Sequence, residues 1–280
     1  MEGASSQQYI DLSVLMSVYK NDSVTHFEIA LNSVLSQTRL AKEIVLVVDG
    51  PVPKEMQKII QEYEEREEVI KVYWLQENVG LGNALNYGLK KCKYDLVARM
   101  DSDDISCPSR FEKEYTCFQE DKELVIVGSY ADEFQDDPKE VISVRKVPVT
   151  REEILKKGTV RCPFNHPTVM FRKSVIETTG GYQELYLFED YYLWVRLLEK
   201  KYKCRNIPEV LLHLRVGNGM IARRGGWKYY KSNKYLQDYM LKHKMIPVRQ
   251  YLFSVIVRLV VQVFMSKKLR AFFYQKILRN

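Results

Sequence analysis

The sequence has no run of about 18 or more uncharged apolar residues, so no stretch is expected to cross a bilayer as a helix. Its five cysteines, at 92, 107, 117, 162 and 204, are odd in number, and no pair has the C-x-x-C spacing of a zinc or dithiol redox site. Five reduced thiols in a reducing compartment are expected. Met1 to Asp11 lacks the apolar core of a secretory leader, so none is expected. There is no internal repeat and no low-complexity segment. Acid is nearly missing from one end: Met220 to Asn280 holds only Asp238 against fourteen Lys and Arg, a surplus of thirteen. Since the net charge is +7, the first 219 residues are six charges negative. An acidic body with a basic tail points to a polyanionic partner. No helix-turn-helix, zinc-finger or RNA-binding motif accompanies the basic residues, so anionic lipid is expected rather than nucleic acid.

What is present reads as a folded enzyme-sized body. The 280 residues are 46% hydrophobic and 28% charged, enough to bury one large core. Leu12–Tyr19 and Ile44–Asp49 are short, β-branched apolar runs, the pattern of strands buried on both faces. Helical spacing over Phe27–Gln37 separates them. A charged helix over Lys54–Glu68, a strand over Ile70–Leu75, a Gly-containing turn opening a helix to Lys91 and a strand over Asp95–Met100 follow. This alternation predicts an α/β fold with a mostly parallel sheet and helices on both faces. Beyond Phe118 the pattern loosens, with strands at Leu124–Tyr130, Val141–Val147 and Thr168–Phe171 and helices at Arg151–Lys157 and Glu189–Lys200. From Gly225 the chain turns basic and helical, broken at Pro247.

Ligands of such sheets sit at the carboxyl ends of strands, which singles out Tyr19, Asp49 and Asp101. Arg99-Met-Asp101-Ser-Asp103-Asp104 puts three carboxylates in four residues, which repel one another unless a cation joins them. Hard oxygen donors suit Mg²⁺ or Mn²⁺. An EF-hand loop counted from Asp101 reaches Glu112 at position twelve but fails at Ile105, Ser106 and Pro108. Tyr19 could stack on a base and Asp49 could accept from a base N–H. Glu189-Asp190 opens an apolar helix and reads as an N-terminal dipole pair or as a general base. His166 reads as a loop histidine or a site residue, and Arg223-Arg224 as a basic linker or a clasp on a diphosphate. Tyr251–Met265, mostly apolar and interrupted by Arg258, is too short to span. It is either a core helix or one lying in the headgroup plane.

Together, Ser13-Val-Leu-Met-Ser-Val-Tyr19, Val47-Val-Asp-Gly50, Asn78-x-Gly80, Ala84-Leu-Asn-x-Gly88 and Ala98-Arg-Met-Asp-Ser-Asp-Asp104 resemble inverting family 2 glycosyltransferases of the GT-A fold. Asn165-His-Pro-Thr-Val-Met-Phe-Arg172 and Glu189-Asp190 continue the likeness in order, over roughly residues 12–216. The exopolysaccharide and O-antigen branch, including amylovoran-type transferases, is the most similar, down to the Gly219-Met-x-Ala-Arg-Arg-Gly-Gly226 segment. The resemblance implies that Ser17, Tyr19 and Asp49 hold the nucleotide, with uridine as its nucleoside. Asp101 would meet the ribose and metal-bound diphosphate, Asp103 would ligate Mg²⁺ or Mn²⁺, and Asp190 would be the catalytic base. Asn78, Arg99, His166, Glu189, Arg223 and Arg224 would complete the donor site. Val48 departs from the pattern where many members carry an Asp, and no Gln-x-x-Arg-Trp segment of processive synthases is present.

The expectation is a GT-A catalytic domain over 1–218 and a basic, helical, membrane-associating tail over 219–280. The enzyme would move one sugar at a time from a UDP-sugar to a lipid-linked glycan on an anionic membrane, peripheral on the cytoplasmic face of the plasma membrane. A sugar-1-phosphate nucleotidyltransferase, which would carry a Gly-rich triphosphate loop absent here, and a non-catalytic nucleotide-sugar or nucleic-acid binding protein are the alternatives.

Overall fold

Two faces of one central strand explain most of the architecture. In β1 (Gln8–Val18), Leu12, Val14, Met16 and Val18 point to one face and Leu15 to the other, all buried. In β2 (Arg39–Val48), Ile44, Leu46 and Val48 alternate with Val45 and Val47 in the same way. The computed structural model describes residues 8–217 and 225–265. β1 and β2 run parallel, flanked by β3 (Ile70–Trp74) on β2 and β4 (Leu96–Met100) on β1, also parallel. Helices α1 (Val24–Leu35) and α2 (Lys54–Arg66) cover the first face, and α3 (Leu81–Lys91) the second. α3 sits close because Gly88 faces the sheet, where a Cβ would come 2.5 Å from Leu15 Cδ1 and 2.7 Å from Val47 Cγ2.

The second half of the sheet is mixed. β5 (Ile105–Ser106), β6 (Leu124–Phe134), β7 (Ser143–Arg145), β8 (Met170–Arg172) and β9 (Lys203–Arg215) complete a nine-stranded sheet among the described residues. Its order is β3-β2-β1-β4-β8-β6-β9-β5, with β7 paired to β6. β8 runs antiparallel to β4 and β6, while β6 and β9 are parallel. The expected α/β sheet with helices on both faces is therefore present, with antiparallel additions. α4 (Arg110–Glu120) joins the first face. α5 (Arg151–Lys157), α6 (Lys173–Thr178) and α7 (Glu189–Glu199) join the second.

β9 and α4 lie where the sequence pattern is silent. β9 contains Pro208, which sits where the β6–β9 register slips between Ile207 and Val210, so the missing N–H costs no ladder bond. α4 buries Arg110, Phe111, Glu114, Cys117 and Phe118, a helical stripe with two charged members. In the basic tail, α8 (Trp227–Lys242) packs Tyr229, Leu236 and Met240 against Phe188, Tyr191, Tyr192 and Val195 of the α7 region. α9 (Val248–Leu259) buries none of its residues and leaves Phe253 70% and Ile256 59% exposed, unlike a core helix.

Arg110 is the hinge between helix and sheet. Fully buried, it donates to Glu114 Oε1 at 3.2 Å and Oε2 at 3.3 Å, and to the Arg99 carbonyl at 2.8 Å. Burial pushes Glu114 up to about 7, against the pull of Arg110. Arg110→Ala should cost about 3–5 kcal/mol, because one member of a buried pair is left alone. Glu114 in its raised state binds a proton more tightly folded than unfolded, so stability falls as pH rises through its folded pKa. The deficit of the variant should therefore shrink from pH 8 to pH 5 in denaturant titrations; a deficit independent of pH would refute this assignment.

Candidate active site

The carboxyl ends of β2, β1 and β4 are neighbours, so the residues following them meet at one edge. Asp49, after β2, is buried, and its carboxylate is fully engaged inside the protein. It accepts from Asn78 Nδ2 at 2.9 Å, the Val79 N–H at 2.7 Å and the Gly80 N–H at 3.1 Å. Asp49 and Asn78 are thus brought together as a clamp on the loop leading into α3. Gly50 completes it, at φ +83°, with Asn78 N only 2.5 Å from where a Cβ would stand. Ser17 is half-buried at the end of β1 and Tyr19, just beyond, is exposed.

The acidic turn after β4 gathers Asp101, Asp103 and Asp104 with ligand oxygens within 4.8 Å of one another. Arg99, wholly buried beneath them, pairs Nη2 with Asp101 and leaves Nε and Nη1 without a partner among the described residues. Asp104 Oδ1 accepts the Arg215 N–H at 2.8 Å, while its buried Oδ2 has no partner among the described residues. Arg215 Nε also donates to the Asp103 carbonyl at 3.0 Å. Burial, then the neighbouring Asp101 and Asp22, push Asp103 up to about 6. Burial and the same crowding drive Asp104 well above the usual carboxylate range. Clustered oxygens short of positive charge, one of them orphaned, fit a divalent cation.

A cleft of about 300 Å³ opens beside this turn. Arg99 of β4, Asp101 in the turn after it and His166 in the short 3-10 turn before β8 line it on one side, and Glu189 and Asp190 from the first turn of α7 on the other. Five of the expected residues therefore share one cavity. Ser17, Tyr19, Asp49, Asn78 and Asp103 do not line it and stand at or beside the adjoining strand ends, while Arg223 and Arg224 lie outside the described residues. Burial raises the pKa of both Glu189 and Asp190; for Asp190 the Tyr191 N–H and Arg99 pull the other way. Burial and Arg99 hold His166 well below its usual pKa, so it is neutral, and its Nε2 lies 2.9 Å from the Tyr182 hydroxyl.

Four residues at the site escape a reading of motifs. Tyr182, Leu187 and Tyr229 line the cleft, and Asp22 ties its two strand ends together. One Asp22 oxygen accepts from the Tyr19 N–H at 3.1 Å and the Ser102 hydroxyl at 2.7 Å. The signal for Asp22 was its place just past a strand end, the same rule that singled out Tyr19. Leu187 is held at φ +59°, a backbone region costly for a side chain, immediately before the helix that carries the acid pair. Gly50→Ala should lower donor affinity at least about tenfold, since the Cβ must push the Asn78 loop away in a strained backbone. Calorimetric titration with nucleotide checks this; unchanged affinity would mean the loop plays no part in binding.

Comparison with known proteins agrees with this geometry. The sequence model of glycosyl transferase family 2 matches residues 13–179. A UDP-Gal:alpha-D-GlcNAc-diphosphoundecaprenol beta-1,3-galactosyltransferase of Escherichia coli is 36% identical over 268 residues, covering 96% of each chain. The amylovoran biosynthesis glycosyltransferase AmsE of Erwinia amylovora is 38% identical over 230 residues, 82% of this chain and 85% of the relative. Among solved structures, S. aureus TarS in complex with UDP-GlcNAc superposes with a TM-score of 0.67 at 17% identity, over 96% of this chain and 76% of that one. The mannosyltransferase PcManGT from Pyrobaculum calidifontis, in complex with GDP-Man and Mn²⁺, gives 0.63 at 14% identity over 83% and 64%. These structural likenesses establish the GT-A fold alone. The family match over more than half the chain, with relatives above 30% identity along most of it, makes this protein a member of glycosyl transferase family 2 and a glycosyltransferase.

Proposed function

We propose that the enzyme transfers a single hexose from a UDP-sugar to a lipid-linked glycan, inverting the anomeric configuration, in surface polysaccharide synthesis. The observation that carries this is the meeting of Asp190 and Asp101 in one cleft. One carboxylate lies on the helix side, where an acceptor hydroxyl can be deprotonated; the other belongs to the acidic turn, where a diphosphate can be held. The relatives named for a diphosphoundecaprenol acceptor and for amylovoran synthesis support the acceptor class.

In this reading Asp101 and Asp103, with the orphaned Asp104 oxygen, would hold Mg²⁺ or Mn²⁺, which when bound would supply positive charge to the diphosphate. Tyr19 and Ser17 flank the nucleoside, and the Asp49–Asn78 clamp shapes the loop beside it. Arg99 fixes Asp101 from below. Arg223 and Arg224, outside the described residues, are the proposed clasp on the diphosphate. Asp190 takes the proton from the acceptor hydroxyl, which displaces UDP from the opposite side of the anomeric carbon. A single displacement turns an α-linked donor into a β-linked product.

A panel of nucleotide sugars, read by released nucleoside diphosphate with a lipid-linked acceptor, tests the reading. UDP-sugar turnover should vanish in chelator and return with Mn²⁺ or Mg²⁺. Asp190→Asn should bind donor like the parent and lose transfer about 100-fold or more. If Asp190→Asn instead kept its turnover number and lost donor affinity, Asp190 would be a binding residue.

The tail, proposed as a unit over 219–280, would bring this cleft to a membrane. No helix among the described residues is long and apolar enough to cross one. α9 offers Leu252, Phe253, Ile256 and, one turn beyond, Val260 on an exposed apolar face. Arg249 and Arg258 on the same helix suit anionic headgroups. In this reading the protein works at the cytoplasmic face of the plasma membrane. The parent should sediment with anionic vesicles and weakly with neutral ones, and Phe253→Glu with Ile256→Glu should release it while soluble-acceptor turnover survives. Equal sedimentation of parent and variant would remove α9 as the docking element.

A further inference from the structure

Away from the cleft, two side chains from the paired strands β6 and β9 and one from the residue after β5 stand in line toward the far side of the sheet. Cys107 immediately follows β5, and its N–H bonds the Leu211 carbonyl of β9 at 3.0 Å. His213 lies in β9, in register with Ile105 on one side and Asp132 of β6 on the other. The Cys107 Sγ is 3.5 Å from His213 Nε2. The opposite ring nitrogen, Nδ1, lies 2.8 Å and 3.0 Å from the two Asp132 oxygens. The sulfur also lies 3.7 Å from the Val210 carbonyl. Asp132 is buried, whereas Cys107 and His213 are half-buried.

A thiol, an imidazole and a carboxylate in this order form the arrangement by which proteins activate a sulfur nucleophile: the carboxylate orients the ring, and the ring holds the proton of the sulfur. The neighbouring sulfur, then Asp132, raise the His213 pKa to about 9, so the ring keeps its second proton at neutral pH. None of the three touches the transferase cleft, and none is needed for the proposed transfer. A purely structural ion pair between β6 and β9 would require only Asp132 and His213; the sulfur on the other ring nitrogen is the extra feature.

We propose that Cys107, with His213 and Asp132, is a nucleophilic thiol site that exchanges with small-molecule disulfides. Sγ attacks one sulfur of R–S–S–R, its proton passing by way of His213 Nε2 to the departing sulfur. The Sγ–S bond forms as the S–S bond breaks, and the departing sulfur takes the Nε2 proton and leaves as R–SH. The protein then carries a mixed disulfide at Cys107, reversed by any excess thiol. No further oxidant or reductant enters the balance.

The chain contains its own reference thiol. Cys162 is also half-buried, but its Sγ faces the Phe164 carbonyl at 3.3 Å and an Asp190 oxygen at 3.9 Å in place of an imidazole. The intact protein is treated with glutathione disulfide or with an aromatic disulfide such as dithiobis-nitrobenzoate, and adducts are placed by peptide mass spectrometry. Cys107 should acquire the adduct at least about tenfold faster than Cys162, and His213→Gln should slow it by a similar factor. Asp132→Asn should slow it less. If Cys162 kept pace with Cys107 in the parent, the proposal would fall, whether or not the His213 variant folds. An undiminished rate in a folded His213→Gln protein would overturn it equally.

Discussion

Crowded negative charge at the end of β4 is the constraint around which the site is arranged. Asp101, Asp103 and Asp104 are joined by Asp22 from the end of β1, and such a cluster is stable only where fixed positive groups oppose it. Arg99 does so from within the sheet, on the same strand as the turn, which is why a guanidinium is tolerated at a wholly buried position. Arg215 does so from β9, its guanidinium Nε donating to the Asp103 carbonyl and its charge acting on the Asp103 carboxylate, while its backbone N–H donates to Asp104. Arg110 then grips the Arg99 carbonyl and is itself balanced by Glu114. The acidic turn is thus the outer end of a chain of buried charges running through three elements. The second half of the sheet, which delivers Arg215, is part of the apparatus that holds the turn.

The same chain of charges explains what could and could not be read from sequence. The parallel half of the sheet was legible because its strands are buried on both faces and their apolar runs have no rival interpretation. α5 was legible from end to end, Arg151–Lys157, because its Thr150 and Glu153 form a capping box that marks the start of a helix. α4 was not, since two of its five buried positions are Arg110 and Glu114, and a pattern of apolar residues cannot anticipate charges that are buried as a pair. β9 was hidden by Pro208 and by Arg205, Asn206 and Glu209. Its paired register slips around the proline, a tertiary accommodation with no local sequence sign.

For the site, spacing along strand ends pointed to the edge of the sheet beside which the cleft opens, but not to the surroundings of each residue. Asp49 stands at a strand end as Asp101 does, yet its two oxygens accept hydrogen bonds from Asn78, Val79 and Gly80. A carboxylate that faces inward and one that faces the cleft look alike in a sequence; the difference is whether a loop thirty residues away folds back to meet it. Tyr182 and Tyr229 were equally illegible as cleft residues, because aromatic side chains in helices and loops are far more often core than site.

Tyr229 also joins the tail to the chemistry. It is in α8, and its ring lies 4.9 Å from that of Phe188, the residue that caps α7 immediately before Glu189 and Asp190. α9 is tied back in turn: the Tyr251 hydroxyl donates to Asp238 of α8 at 2.8 Å, and the Gly226 N–H to the Gln262 carbonyl at 2.8 Å. Leu236 and Met240 seat α8 on the α7 side of the body through buried apolar contact, the term that resists displacement most. The apolar face of α9 and the mouth of the cleft are therefore held in one orientation by packing. In the reading proposed above, the surface under α9 would set the direction from which an acceptor reaches Asp190; a tail that merely tethered the enzyme would not need these contacts, whereas one that aimed it would.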